Sequence, residues 1–269
     1  MKLFFGSGKL PTVIGREEDI IISHQECDIT NREKVAEYVR LYKPSVVVNA
    51  AANTNLENCE DNKHSSFLVN TYGPLNILMA CEEIGAKFIH VSSGCLFDGN
   101  ETISYEDTPP RTSAWYTHTK KWADDLIERY GYDNYLILRP RQMVSALAHP
   151  TNMLTKFSQY QEIYAHDQLN SITCVEDFGD MIDHLVKQDE RGIFNCCNDG
   201  EVTPHEIAIG VKKYIKPSLQ VYKADYEFTL TLQRNKRVNT ILSNDKLKKT
   251  GYIPRNSHEA LKWCLENYK

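Results

Sequence analysis

Short, largely apolar runs alternate with longer segments of helical period through the first half of the chain. Lys2–Phe5, Asp19–Ile22, Ser45–Asn49, Lys87–Ser92 and Tyr135–Arg139 have the length and composition of buried strands, and Ser171–Val175 and Gly192–Cys196 continue the series. Between them, Asn31–Tyr42, Asp61–Ile84 and Ser113–Tyr130 read as helices. Strand and helix in alternation predict an α/β fold, a parallel sheet covered on both faces. From about Met143 the alternation loosens into a polar stretch containing Pro and Asn. The predicted division is a core over 1–142, to which elements near 168–197 return, and a smaller C-terminal substrate lobe over 143–269. Within that lobe, Thr203-Pro204-His205-Glu206 is a capping box with proline at the first helical position, and Ser257 is placed to cap a last helix ending near Lys269. No repeat or low-complexity linker interrupts the chain, which predicts one compact body.

Composition narrows the classes. At 269 residues and 41% hydrophobic, the chain can bury a substantial core, and a net charge of −5 argues against a nucleic-acid surface. No apolar run approaches a membrane span, and Met1–Leu10 is too short in its apolar part for a signal peptide. The eight cysteines include no Cys-x-x-Cys and no Cys/His ligand spacing, so the expectation is free thiols in a reducing cytoplasm and no metal site.

The candidate chemistry follows the fourth apolar run. That run leads into Ser93-Gly94-Cys95, and open α/β sheets place their sites at the carboxyl ends of strands. Tyr116 and Lys120 stand four apart in a helical segment and share one face. An ammonium so placed favours the phenolate and makes a phenol a usable proton donor or acceptor. A pair at this spacing arises readily by chance in a chain with 15 tyrosines; its place after a buried strand that ends in a hydroxyl gives it weight. Taken alone, Cys95 reads as a small packing residue and Lys156 as a solvated helix charge. Arg139 and Arg141 carry no assignment, His149 and Asp98 read as turn or solvent-facing residues, and Cys196–Cys197 reads as core packing.

Several segments together resemble the extended short-chain dehydrogenases/reductases, specifically the dTDP-4-dehydrorhamnose reductase group and, more closely, the plant-type bifunctional 3,5-epimerase/4-reductases. They are CDITN at 27–31, KPSVVVNAAANTNLENCE at 43–60, VNTYGPLNILMAC at 69–81, GAKFIHVSSGCLFDG at 85–99, YEDTPP at 105–110 and YTHTK at 116–120. HPTNMLTK at 149–156, RGIFNCCNDGEVTPHEI at 191–207 and NTILSNDKLKK at 239–249 extend the likeness over nearly the whole chain. The resemblance implies a Rossmann-like, doubly wound parallel sheet with a substrate lobe. It also implies NAD(P)H-dependent 4-keto reduction, with Tyr116 as proton donor, Lys120 on the nicotinamide ribose and Ser93 on the same sugar oxygen. Asp28 and Ile29 would lie beside the adenine, Asn49, Ala50, Ala51 and Ala52 under the cofactor, and Asn70 near the catalytic helix. Asn152 and Arg237 would hold the nucleotide sugar. Gly94-Cys95 matches the epimerase/reductases, where the thiol acts as base beside the 4-keto group and Lys156 supplies the opposing acid. The substrate expected on this basis is a UDP- or dTDP-linked 4-keto-6-deoxyglucose and the product an NDP-L-rhamnose.

The amino terminus departs from that pattern. Gly6, Ser7, Gly8, Lys9 and Leu10 form the expected phosphate cradle, but Pro11 stands where a third small residue belongs, and the first helix is cut to two turns at most. Ser23-His24-Gln25 lacks the acidic residue that would bind a ribose 2′-hydroxyl, which favours NADP(H) over NAD(H). Two rivals stay open: a reductase without epimerase activity, and a non-catalytic regulatory subunit of this fold, as in methionine adenosyltransferase. A 4,6-dehydratase is disfavoured, because that chemistry wants Asp-Glu after the catalytic hydroxyl. A homodimer is compatible with all of these readings.

Overall fold

The computed structural model describes residues 1–97, 102–235 and 238–269. The chain forms two compact units of nearly equal size. One comprises 1–96, 110–139 and 189–194, and the other 97–109, 140–188 and 195–269. Of the 168–197 stretch expected to rejoin the first unit, only 189–194 does so. The physical reason is the strand at Gly192–Asn195, which joins the central sheet, whereas Val175–Lys187 packs on the short strand Thr173–Cys174. No helix among the described residues is long and apolar enough to cross a membrane.

The first unit is built on a six-stranded sheet of β1 (Lys2–Phe5), β2 (Ile20–Ile22), β3 (Val46–Asn49), β4 (Lys87–Val91), β5 (Tyr135–Arg139) and β6 (Gly192–Asn195), in the order β6-β5-β4-β3-β1-β2. The pairings from β5 across to β2 are parallel. Strands β3 and β4 are buried along almost their whole length, as covering on both faces requires. The helices that matter here are α1 (Lys9–Ile14), α2 (Arg32–Tyr42), α3 (Gly73–Ile84) and α4 (Trp115–Tyr130). Val35 and Val39 of α2 and Ile77, Leu78 and Cys81 of α3 pack with Leu3, Phe5, Val47 and Phe88 of the strands into one core. Truncating a ring buried like Phe88 to alanine costs about 3–5 kcal/mol, because transfer and cavity terms add.

The segment 61–84, expected as one helix, is interrupted twice. Asn62 leaves helical geometry at φ −123°, ψ 58°, and Leu68–Tyr72 forms a π-helical turn between Lys63–Phe67 and α3. Close packing follows the second irregularity. Gly73 sits so near Ile29 that a Cβ there would lie 2.5 Å from its Cδ1, and Asn76 Nδ2 donates to Ile29 O at 2.9 Å.

In the second unit, Val144, Leu154, Cys174, Ile207, Val211, Leu261 and Cys264 form the core. The Thr203 capping box is complete: Thr203 Oγ1 accepts from Glu206 N (3.1 Å) and the Glu206 carboxylate accepts from Thr203 N (2.7 Å). The last helix, Ser257–Glu266, is capped by Asn256 rather than Ser257. Ser257 is already the first helical residue, and its hydroxyl donates to Gly200 O at 2.7 Å.

Candidate active site

The strand order reverses between β1 and β3, the crevice where open α/β sheets bind ligands. A pocket of about 330 Å³ opens there, lined by Gly6, Ser7 and Gly8 after β1, His24 and Cys27 to Ile29 after β2, Ala50 to Asn53 after β3, and Val69. Gly6 holds φ +105°, and a Cβ on it would lie 2.8 Å from Ala51 N and 2.9 Å from Ala50 C. Glycine is therefore needed twice over, for the backbone angle and for the close approach of the two loops. Gly8 is the N-cap of α1. Lys9 and Leu10 do not line this pocket. They are the first two residues of α1, both buried, because the short helix starts at once and turns them inward.

Asp28 faces the pocket, with Oδ1 accepting from Thr30 N and Thr30 Oγ1, both at 2.9 Å. After β2 the nearest carboxylate, Glu26, is spent on the turn itself: it accepts from Ser23 N (2.8 Å) and Ser23 Oγ (2.6 Å), and those bonds hold it below the usual carboxylate range. His24 lines the pocket at that point. His24, Cys27, Asn53 and Val69 were not identified from the sequence.

At the end of β4, Ser93 is buried, and its Oγ accepts from Cys95 N at 3.1 Å, which leaves its own hydrogen to give. Cys95 lies in the 3₁₀ turn Gly94–Leu96, against which α4 packs. It is half-buried, whereas the other seven thiols are buried. Tyr116 and Lys120 occupy the first turns of α4, both buried. Lys120 Nζ donates to Val91 O at 2.8 Å and so ties the helix to the strand end that carries Ser93. Asn70, in the π turn, locks the same region: Oδ1 accepts from Asn53 N (2.8 Å), and Nδ2 donates to Asn53 O (2.9 Å) and Thr119 Oγ1 (3.1 Å).

Lys120 is fully buried, and burial lowers its ammonium pKa to about 8 against the opposing pull of the Asp124 charge. Asp124 in turn accepts from Arg139 Nε (3.2 Å) and Nη2 (3.1 Å), which gives Arg139 the structural role the sequence left open. Arg141, in the second unit, is likewise structural, donating to Asn170 Oδ1 and Val238 O.

Asn152 and Lys156 lie in the second unit. Asn152 is fully buried as the N-cap of Met153–Gln159, with Oδ1 on Leu154 N and Nδ2 on Ser145 O and Leu147 O. Its amide is engaged within its own loop and presents no group to a ligand. Lys156 is exposed on that helix. Arg237 and Asp98 lie outside the described residues.

A parallel sheet of this order, with a glycine turn at its switch point, defines a Rossmann-like α/β protein. Residues 13–269 match the RmlD substrate binding domain family, and the chain belongs to it. It is 29% identical over 232 residues to the bifunctional dTDP-4-dehydrorhamnose 3,5-epimerase/dTDP-4-dehydrorhamnose reductase of Arabidopsis thaliana, covering 82% of this chain and 76% of the relative. A trifunctional UDP-glucose 4,6-dehydratase/3,5-epimerase/UDP-4-keto-L-rhamnose-reductase of the same plant is 28% identical over 233 residues. That match takes in 82% of this chain and 34% of the relative, so the chain spans about a third of it. Among solved structures, dTDP-4-dehydrorhamnose reductase from Bacillus anthracis in complex with NADP superposes with a TM-score of 0.88 at 21% identity, over 99% of this chain and 97% of that one.

Proposed function

We propose that the protein is an NADPH-dependent oxidoreductase that reduces the C4 ketone of a UDP- or dTDP-linked 4-keto-6-deoxyhexose, and that it also epimerises C3 and C5 to make an NDP-L-rhamnose. The observation that carries the reductase reading is the bond from Lys120 Nζ to Val91 O, which supports Tyr116 and Lys120 working beside Ser93. The switch-point pocket, with a glycine that a Cβ would block, fits a dinucleotide. When bound, the dihydronicotinamide supplies the hydride. Tyr116 delivers the proton to the nascent C4 alkoxide, Ser93 Oγ–H donates to that oxygen, and Lys120 holds the ribose and replenishes Tyr116. His24 at the pocket rim, with Glu26 turned into its own loop, favours a 2′-phosphate over a bare ribose hydroxyl. The NADP in the Bacillus anthracis structure supports the same choice.

Epimerisation rests on Cys95, the one thiol of the eight that is not buried. As thiolate it would take the proton from C3 or C5, acidified by the neighbouring ketone, and Lys156 would return one to the opposite face. The bifunctional name of the plant relative supports this reading. The second unit would carry the sugar nucleotide, with Arg237 on the diphosphate and Asn152 acting through the loop it caps. Eight free thiols suit a reducing compartment, the cytoplasm.

The deciding experiment supplies each 4-keto-6-deoxyglucose nucleotide with NADPH or NADH and follows cofactor oxidation and product stereochemistry. Reduction of the pre-epimerised sugar alone makes the protein a reductase only. Binding of neither cofactor moves the regulatory-subunit reading ahead.

A further inference from the structure

Behind the Tyr116–Lys120 pair, the described residues contain a buried chain of polar groups that the proposed reaction does not use. It begins at the pocket, where Ala51 N–H donates to Asn49 Oδ1 at 3.2 Å. It continues through Asn49 Nδ2 to His90 Nδ1 at 3.1 Å and ends where His90 Nε2 meets Lys120 Nζ at 3.2 Å. Asn49 and His90 are fully buried on neighbouring strands, so no water competes for these bonds.

The chain has a direction. A backbone N–H can only donate, which fixes Asn49 Oδ1 toward Ala51 and its NH₂ toward His90. An amide NH₂ can only donate, so Nδ1 must offer its lone pair. The neutral imidazole then carries its hydrogen on Nε2, pointed at Lys120. Burial, and then the Lys120 charge, push the His90 pKa well below its ordinary value, which keeps the ring neutral. An N–H aimed at an amine is a hydrogen bond; aimed at an ammonium it sets donor against donor. With the ring held by Asn49, its N–H stays facing Nζ, so it opposes the ammonium and favours the neutral amine. Asp124 Oδ1 lies 4.0 Å from Nε2, beyond hydrogen-bond distance, so it does not take that hydrogen. The charges around that carboxylate are Arg139 on β5, paired with it, and Glu128 on α4, which acts on the pair.

We propose that His90 is a positioning residue for the reduction: held in one tautomer by Asn49, it presents Nε2–H to Lys120 and so sets the pH at which the Tyr116–Lys120 pair exchanges protons. The inference rests on the reductase reading for its meaning, but its test does not. Lysine labelled with ¹³C at Cε reports the titration of Lys120 by NMR in the protein alone, with the resonance assigned by its loss in Lys120→Met.

Two variants remove the directed hydrogen differently. In His90→Gln, one carbonyl oxygen has two lone pairs and accepts from both Asn49 and Lys120. In Asn49→Leu, the ring is free to adopt the other tautomer and accept from Lys120. In each, the Lys120 titration should move up by about one pH unit, a tenfold gain in proton affinity. The alkaline limb of the reduction rate against pH should move with it. A purely structural His90 would lower the melting temperature and leave both curves in place. The inference is overturned if Lys120 in the unmutated protein titrates at the ordinary lysine value of 10.5, or if either folded variant leaves its midpoint unchanged. If Lys120 moves as expected but no 4-keto sugar oxidises NADPH, the reductase reading fails and the His90 linkage stands.

Discussion

Gly6→Ala tests the cofactor loop where the geometry is most restrictive. At φ +105° an L-residue is strained, at a cost of about 1–3 kcal/mol. The added methyl also meets backbone on the far side: Ala51 N at 2.8 Å, with Ala50 C and Ala51 Cα at 2.9 Å. None of these atoms can swing aside as a side chain would, so the loops must part, adding a cost like that of overpacking a core, about 1–3 kcal/mol. A total of about 2–6 kcal/mol should lower the melting temperature by roughly 4–24 °C. Because Ala51 also lines the pocket, NADPH should bind more weakly, read by quenching of protein fluorescence on titration. Gly8→Ala is the control. It lies at φ −77° with nothing within 4 Å of a Cβ, so only its N-cap role is at stake and the loss should stay within about 1 kcal/mol. Equal effects of the two substitutions on stability would refute the argument from close approach.

Tyr116→Phe should cut reduction at least ~10²-fold while leaving the melting temperature in place, and near-parental turnover would remove Tyr116 as proton donor. Cys95→Ser should stop solvent deuterium from entering C3 and C5 yet leave reduction of a pre-epimerised sugar intact, and Lys156→Ala should impair inversion more than hydride transfer. If the unmutated protein incorporates no deuterium, Cys95 is packing only. Arg139→Met strands the buried Asp124 charge and should cost about 3–5 kcal/mol in urea unfolding, part of which Asp124→Asn in the same chain should restore; a strictly additive double variant would contradict the pairing.

The sheet was legible because each strand is a concentrated apolar run: Lys2–Phe5 and Tyr135–Arg139 fall on their predicted residues, and the others differ only at the ends. What escaped depends on partners distant in sequence. The π turn at Leu68–Tyr72 answers to Asn53 and Thr119, neither of which marks the helical pattern around it. Asn256 outcompeted Ser257 as cap because the serine hydroxyl had Gly200 O to satisfy, a contact no local rule reveals. For the candidate site, Ser93, Tyr116 and Lys120 could be found by spacing and place. The groups behind them could not, since His90 sits inside an apolar run and Arg139 ends another. One signal was available: Tyr116, Lys120 and Asp124 recur every four residues on one helix face, and a carboxylate on the third site implies a buried counter-charge.

Strand β6 also has a consequence for how the protein is made. It closes the edge of the sheet beside β5, yet the whole of 140–188, which belongs to the other unit, is synthesised between the two. At ~5–20 residues per second on the ribosome, β5 waits several seconds with one row of backbone donors and acceptors unpaired. An apolar edge in that condition is a template for strand pairing with other chains. The nascent protein is thus most prone to aggregation while the second unit is emerging, and truncations that stop short of Gly192 should be captured by chaperones or precipitate where the full chain does not.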